Sequence, residues 1–221
     1  MAKKKSSARA SAKFPNLPRE TTLLVAIEAG ASHLEMETRE EGEVWKSTIF
    51  GEARSDYSRT PVTSMPTMAA VHDGGELLYG LEAADALNSR PGFHQLAYLK
   101  LALIEEGKLD ATTKKLMAEQ RQKARGFGLD IEKVAVGFFT HALGFLDAAK
   151  WDKVIVHINI SDVWRSDVAQ ALSRELTSIL PRANIRPIGE CLASAMGDQI
   201  SDGMAAIFDI GHATMVSLEF G

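Results

Sequence analysis

Two short stretches of the chain place an acidic residue two positions before a glycine, directly after an apolar run. They are Glu28-Ala29-Gly30 and Asp209-Ile210-Gly211. A second strand-like run follows each stretch at once, which predicts two tight hairpins with a carboxylate at the mouth of each. Glycine permits close backbone approach, turn N–H groups can hold phosphate oxygens, and a carboxylate can position Mg²⁺ through water. The pair could therefore bind a phosphorylated ligand.

The same triplets have a second, ordinary interpretation. An acid two residues before a glycine is a common sequence, and both stretches could be plain hairpins whose carboxylates face solvent. The spacing alone favours this second interpretation, so the chemistry depends on what else the chain brings to these turns.

The elements that must position these turns follow from the hydrophobic pattern. In the first half, apolar runs predict strands, while the Ser-, Thr- and Pro-rich residues 51–66 predict an irregular excursion. The predicted strands cover residues 23–27, 32–38, 44–50, 65–71 and 76–79, with a hairpin turn at 72–75.

The second half alternates helices and strands. Asp110 is placed to cap a polar helix over 110–125, and an apolar stripe predicts a helix over 131–150. The nearly continuous apolar run 153–160 predicts an interior strand. Further elements are predicted as a helix from Ser166, a strand at 185–188, a helix over 190–199, and strands at 204–209 and 214–220. This alternation indicates an α/β fold with a mixed sheet.

The composition excludes several classes of protein. With 45% hydrophobic residues among 221, the chain can form a core, and it contains no apolar run long enough to cross a membrane. The single cysteine, Cys191, excludes both a disulfide scaffold and a cysteine-rich zinc module. We expect a cytoplasmic protein that does not bind a membrane.

Charge is distributed unevenly along the chain. Residues 1–20 hold six of the 25 basic side chains and one of the 29 acidic ones, and they show no apolar period. We expect a disordered basic tail over 1–20, which could also act as a nuclear-import arm. The body is strongly acidic, which makes binding to nucleic acid unlikely.

The two turns and the segments between them resemble the first lobe of the actin-like ATPase fold in the heat-shock 70 superfamily. The resemblance is closest to the divergent heat-shock-70-like proteins common in fungi, and it runs through residues 21–221 in the right order. The similar segments are Glu28 to Ser32 (D-x-G-T-T in the family), Leu78 to Ala83, Tyr98 to Leu101, Val163 to Asp167, Gly189 to Ala195, and Asp209 to Val216 (D-x-G-G-G-T-x-D in the family).

This resemblance implies a ribonuclease-H-like lobe with a five-stranded mixed sheet, and it implies ATP and Mg²⁺ as cofactors. In that family, Glu28 and Asp209 would hold the water shell of Mg²⁺, and Lys100 would neutralise phosphate charge. Glu190 would orient the attacking water. The remaining phosphate contacts would come from Gly30, Ser32, Gly211 and Thr214. The ordinary alternatives are turn acids in solvent, a lysine that snorkels to the surface, and an acid that only starts a helix.

The sequence departs from the family pattern at the chemistry itself. Glu28 is one methylene longer than the family's aspartate, Ala31 lacks a hydroxyl, and His212 and Ala213 replace two glycines. We also expect the second lobe of the family to be absent. The sequence therefore predicts an ATP-binding lobe that is catalytically weak by itself. The alternative is a protein-interaction module that keeps the fold without nucleotide binding.

A lobe that normally faces a partner across a cleft should expose apolar surface when it is alone. We therefore predict a protein partner or self-association through the cleft face. Sedimentation velocity from micromolar to near-millimolar protein should show a growing average mass. A constant monomer mass over this range would contradict the prediction.

Overall fold

The computed structural model describes residues 21–40, 42–55, 58–147, 150–160, 183–189, 205–210 and 215–220, and also residues 170, 172, 174, 176 and 177. The predicted tail over 1–20 and the helix over 190–199 lie outside these residues. Of the helix predicted from Ser166, five described positions are helical. The strands are β1 (Thr22–Ala29), β2 (His33–Glu40), β3 (Lys46–Ser47), β4 (Gly51–Ser55), β5 (Ser58–Val62), β6 (Ser64–Pro66), β7 (Ala69–His72), β8 (Leu77–Tyr79), β9 (Phe93–Leu96), β10 (Lys153–Ile160), β11 (Ala183–Gly189), β12 (Ala205–Ile210) and β13 (Met215–Phe220). The helices are α1 (Gly80–Ser89), α2 (Leu99–Ala102), α3 (Ala111–Gly126) and α4 (Ile131–Leu143).

The main sheet is mixed, as predicted. Its order is β11-β10-β1-β2-β3, with β1, β10 and β11 parallel and β2 antiparallel to both β1 and β3. This order and these directions are those of a ribonuclease-H-like lobe. The expected count of five strands is one too low, because β6 also pairs with β2. Proline ends β6, and such a short segment gives little strand signal in the sequence.

The two central strands, β1 and β10, are each paired on both edges, and their apolar residues belong to the core. Leu23, Val25 and Ile27 of β1 are buried, as are Val154 and Val156 of β10. Thr21 and Asp152 directly precede the first residue pair of β1 and β10. The Thr21 N–H and the Thr21 hydroxyl both donate to the Asp152 carboxylate, each at 2.9 Å. The predicted interior strand over 153–160 is confirmed.

The prediction for residues 44–66 is largely wrong. Only Lys46–Ser47 of the expected strand over 44–50 is a strand, and the expected irregular excursion contains β4, β5 and β6. β4 and β5 pair in register from Gly51 opposite Val62 to Ser55 opposite Ser58. The described side chains of this ribbon are mostly exposed. A ribbon held by backbone hydrogen bonds and lacking a buried face shows no alternating apolar pattern, so its sequence resembles a loop.

A second sheet, β8-β7-β9, follows the excursion. The predicted turn over 72–75 is confirmed by the Gly75 N–H, which donates to the His72 carbonyl at 2.8 Å, and Gly75 has φ +90°. The strand predicted over 65–71 divides into β6 and β7, because a bend at Thr67 moves the chain from one sheet to the other. α1, β9 and α2 were not predicted from the pattern.

The predicted polar helix is confirmed as α3, with Asp110 as its cap. The Asp110 carboxylate accepts from the Thr113 N–H at 2.9 Å. α4 buries the predicted apolar stripe from Ile131 to Ala142. The helix was predicted to continue to residue 150, but it ends at Leu143. Phe145 was expected within the stripe, but it lies beyond the helix end and is 41% exposed, with its ring edge-on to Phe50 at 5.3 Å.

One continuous hydrophobic core joins the two sheets to α2, α3 and α4. Phe138 and Phe139, side by side on α4, are fully buried and pack ring edge to ring face. Within the part of the chain that the structure describes, no helix is long and apolar enough to cross a membrane.

Gly80 starts α1 in a conformation that requires glycine. Its φ is +56°, and a side chain there would overlap the buried Met65. Gly80→Ala should therefore lower the free energy of unfolding by about 2–4 kcal/mol, from backbone strain and overpacking together. Urea unfolding measures this directly. Gly107→Ala is the matched control, since open space surrounds Gly107, and an equal loss in both variants would contradict the prediction.

Candidate phosphate-binding turn

The first acid-to-glycine stretch forms the tight turn between β1 and β2. The Gly30 N–H donates to the His33 carbonyl at 2.8 Å, which closes the turn. A Cβ atom at Gly30 would lie 2.8 Å from the same carbonyl oxygen. Glycine is therefore required here by close backbone approach, and the predicted hairpin is confirmed.

A buried threonine braces this turn from the side. The Thr67 hydroxyl donates to the Gly30 carbonyl at 3.1 Å, and the Thr67 N–H donates to the Ser32 carbonyl at 2.8 Å. Thr67 was not predicted as a site residue, because a threonine between Pro66 and Met68 in a strand-like run is ordinary. Its role depends on β6 pairing with β2, which the local sequence does not reveal.

The turn lies at the carboxyl edge of the three parallel strands. Glu28 is opposite Asn159 of β10, and Ile160 is opposite Gly189 of β11. Glu190 is the next residue in sequence but lies outside the described residues. In open α/β sheets, ligands bind beyond the carboxyl ends of parallel strands. This edge is where the predicted Glu28, Gly30 and Ser32 come together.

Glu28 is exposed and pairs in register with Glu35 of β2, which is also exposed. Residues directly opposite in an antiparallel pair share a face, so two carboxylates lie side by side here. A cation would stabilise such a pair, and Mg²⁺ typically uses one or two carboxylates with several waters. Among the described residues, no group of three potential metal ligands occurs. Two carboxylates completed by water are a set of ligands that Mg²⁺ can use.

Ser32 is exposed, and its hydroxyl lies 3.1 Å from Nδ1 of His33. The hydroxyl expected to contact phosphate therefore also has a histidine within hydrogen-bond distance. A hydroxyl is both donor and acceptor, so it can take a contact from the imidazole and still donate to an anion.

Lys100 differs from the snorkelling alternative. Its side chain is only 4% exposed, whereas a snorkelling lysine keeps its ammonium group in water. Tyr98, the one non-glycine residue with positive φ in the described ranges, has φ 59° and turns the chain into α2. Burial of a lysine costs free energy unless its charge is compensated, so Lys100 is not simply a surface lysine that aids solubility.

Lys100 follows β9, which pairs with the strand that begins two residues after Thr67. Leu96, four residues before Lys100, is opposite Ala69 in the β7–β9 pair, and Ala69 follows Thr67 by two residues. Thr67 and Lys100 are also the two buried polar side chains that the described part of the chain contains. Both residues therefore lie within four residues, along the chain, of the same strand pair.

The second acid-to-glycine stretch has the same hairpin register as the first. Glu28 is opposite Glu35 with Ala29 opposite Leu34, and Asp209 is opposite Val216 with Ile210 opposite Met215. Four residues separate the last paired positions in both hairpins. The predicted hairpin of β12 and β13 is thus confirmed as a backbone feature. Gly211 and Thr214 lie outside the described residues, and a joint site of Asp209 and Glu28 stays a prediction.

Beyond the turn, two titratable groups pack against each other between β8 and α4. The rings of Tyr79 and His141 are 5.7 Å apart, and Phe145 contacts the other side of His141 at 5.4 Å. Burial raises the pKa of the Tyr79 hydroxyl. Burial also lowers the pKa of His141, and the negative charge of Glu82 partly opposes that shift.

Comparison with known proteins gives structural likeness alone. No protein-family model matches the chain, and no curated protein matches it. A structure of a non-polymerising MamK mutant bound to AMPPNP is 12% identical, with a TM-score of 0.47, over 90% of this chain and 55% of that one. The MamK double helical filament is 13% identical, with a TM-score of 0.46, over 89% and 54%. The chain spans about half the length of these structures.

Acid should weaken the fold through His141. The folded protein favours the neutral imidazole, whereas the unfolded chain takes up a proton as the pH falls through about 6.5. Stability is therefore complete above this pH and declines below it. The urea midpoint should fall between pH 7.5 and 5.5, and His141→Gln should reduce that fall.

The exposed His33 supplies the matched control. His33→Gln should lose as much stability on acidification as the unmodified protein does. If His141→Gln shows the same loss as well, burial of His141 is not the cause.

Proposed function

We propose that this chain is a nucleotide-binding lobe of an actin-fold ATPase of the heat-shock-70-like kind, with Mg-ATP as its ligand. The observation that carries the proposal is the Gly30 turn at the carboxyl edge of three parallel strands, which the buried Thr67 braces. The identical register of the second hairpin supports a paired phosphate site.

In this proposal each residue has a distinct task. Backbone N–H groups of the turn after Gly30 bind phosphate oxygens, and Ser32 adds a hydroxyl. Lys100 neutralises phosphate charge, and Glu190 orients water at the edge beyond β11. Glu28 and Asp209 hold the hydrated Mg²⁺. Gly211 and Thr214 repeat the turn contacts. The bound Mg-ATP would supply the phosphoanhydride and the metal charge.

Weak hydrolysis by this chain alone follows from the residues at the turns. The longer side chain of Glu28 shifts its carboxylate outward, and Ala31 has no hydroxyl to donate. His212 and Ala213 bring side chains to a turn where the family that the sequence resembles has glycine. Exact placement of a water needs rigid donors, and a turn displaced by about 1 Å can cost two orders of magnitude in rate.

A second candidate function is a non-catalytic interaction module. The observation that favours it is a set of exposed apolar side chains in the residues that flank β3, the edge strand: Val44, Trp45 and Ile49 are 73%, 43% and 55% exposed. A chain that only scaffolds a protein partner needs this surface and not the turns. We propose a cytoplasmic location for either function. The alternative is a nuclear location, with import through the basic tail.

Thermal unfolding with and without millimolar Mg-ATP tests the nucleotide proposal. At 100 times its dissociation constant, a ligand stabilises the folded state by about 2.7 kcal/mol, which raises the unfolding midpoint measurably. Asp209→Ala and Lys100→Met should each remove most of the shift, as should chelation of Mg²⁺.

Asp85→Ala is the matched control, because Asp85 is an exposed acid on α1. It should keep the full shift. No shift in the unmodified protein at saturating Mg-ATP would exclude nucleotide binding and favour the interaction module. An undiminished shift in Asp209→Ala would remove the second hairpin from the site.

A further inference from the structure

Thr67 makes two hydrogen bonds to alternate carbonyls of the first turn. Its hydroxyl reaches the Gly30 oxygen at 3.1 Å, and its N–H reaches the Ser32 oxygen at 2.8 Å. The side chain is 3% exposed, so water does not compete for these contacts. A buried hydroxyl that is hydrogen-bonded holds its partner in one orientation.

The orientation of the Gly30 carbonyl fixes the next N–H group. A trans peptide is planar, and its C=O and N–H point in opposite directions. Because the Gly30 oxygen points toward Thr67, the Ala31 N–H points away from Thr67. The family that the sequence resembles has a threonine hydroxyl at the position of Ala31. Ala31 lacks it, so the backbone N–H is the donor that remains at this position.

Thr67 is itself held in a rigid setting. The next residue, Met68, accepts from the Gly80 N–H at 3.0 Å, which ties the segment to the start of α1. Ala69 then enters the central strand of the second sheet, opposite Leu96. The brace therefore connects the turn to the body of the protein and not to another loop.

We propose that Thr67 is a positioning residue for the phosphate site, which it serves by directing the Ala31 N–H toward the bound phosphate. This inference rests on the proposed nucleotide function. Thr67 touches no ligand. Its hydroxyl sets the peptide plane between Gly30 and Ala31, and that plane presents the donor.

The test compares variants that keep or remove the hydroxyl. Thr67→Val preserves the shape and loses the hydroxyl, whereas Thr67→Ser keeps it. Thr60→Val, in the exposed β5 strand, is the matched control. The dissociation constant for Mg-ATP is measured by calorimetry well below each unfolding midpoint. Amide hydrogen exchange at Gly30, whose N–H closes the turn, is measured without nucleotide.

We expect Thr67→Val to weaken Mg-ATP binding by about fivefold or more, the usual effect of losing one hydrogen bond. Exchange at Gly30 should accelerate in the same variant, because the turn that its N–H closes loses its brace. Thr67→Ser should bind within about twofold of the unmodified protein, and Thr60→Val should not differ from it. A purely structural role would lower the unfolding midpoint of Thr67→Val but leave its dissociation constant unchanged.

The outcomes separate this inference from the function on which it rests. Binding by Thr67→Val equal to that of the unmodified protein overturns the inference and leaves the nucleotide site intact. Absence of binding by the unmodified protein overturns both. Should Thr67→Val fail to fold, Thr67→Ala replaces it, and the same dissociation constant decides.

Discussion

The parallel register between β1 and β10 is the constraint on which the rest of the structure depends. It pairs seven consecutive residues from Thr22 to Glu28 with the strand that begins at Lys153. Hydrogen bonds between Thr21 and Asp152 hold the start of this pair. β1 has β10 on one side and β2 on the other, so the N–H and C=O groups on both of its edges are paired only when both neighbours are present. Because the register is fixed, Glu28 and the Gly30 turn lie at the carboxyl edge, beside the last residues of β10.

The candidate site is built by two kinds of contact. The turn closes locally, through a single hydrogen bond from Gly30 to His33, and any sequence with glycine there could form it. Its orientation comes from outside, through Thr67, which reaches it from a segment more than thirty residues later. Lys100 lies later in the sequence, on the short helix α2, which begins after Tyr98, a residue with a left-handed backbone conformation. The chemistry thus depends on how the second sheet packs against the first.

Local pattern was sufficient for the features that depend on local physics. The apolar runs of β1 and β10, the cap at Asp110 and both acid-to-glycine hairpins were predicted correctly. The ribbon of β4 and β5 was not, since no buried face imposes alternation on it. α4 ends at Leu143, although apolar residues continue the helical spacing beyond it, and Phe145 packs on Phe50 outside the helix. The burial of Lys100 and the hydrogen bonds of Thr67 depend on tertiary structure, which spacing cannot reveal.

The pairing of β1 with β10 also governs when the fold can be completed. Thr21 and Asp152 are 131 residues apart in sequence. At translation rates of about 5–20 residues per second, roughly 7–26 s pass between synthesis of β1 and arrival of its parallel neighbour. During that time β1 and β2 can form their hairpin, but one edge of β1 lacks its partner and its apolar side chains lack their cover. β1 is therefore complete only after β10 is made, and its unpaired edge leaves the nascent chain prone to aggregation during that interval.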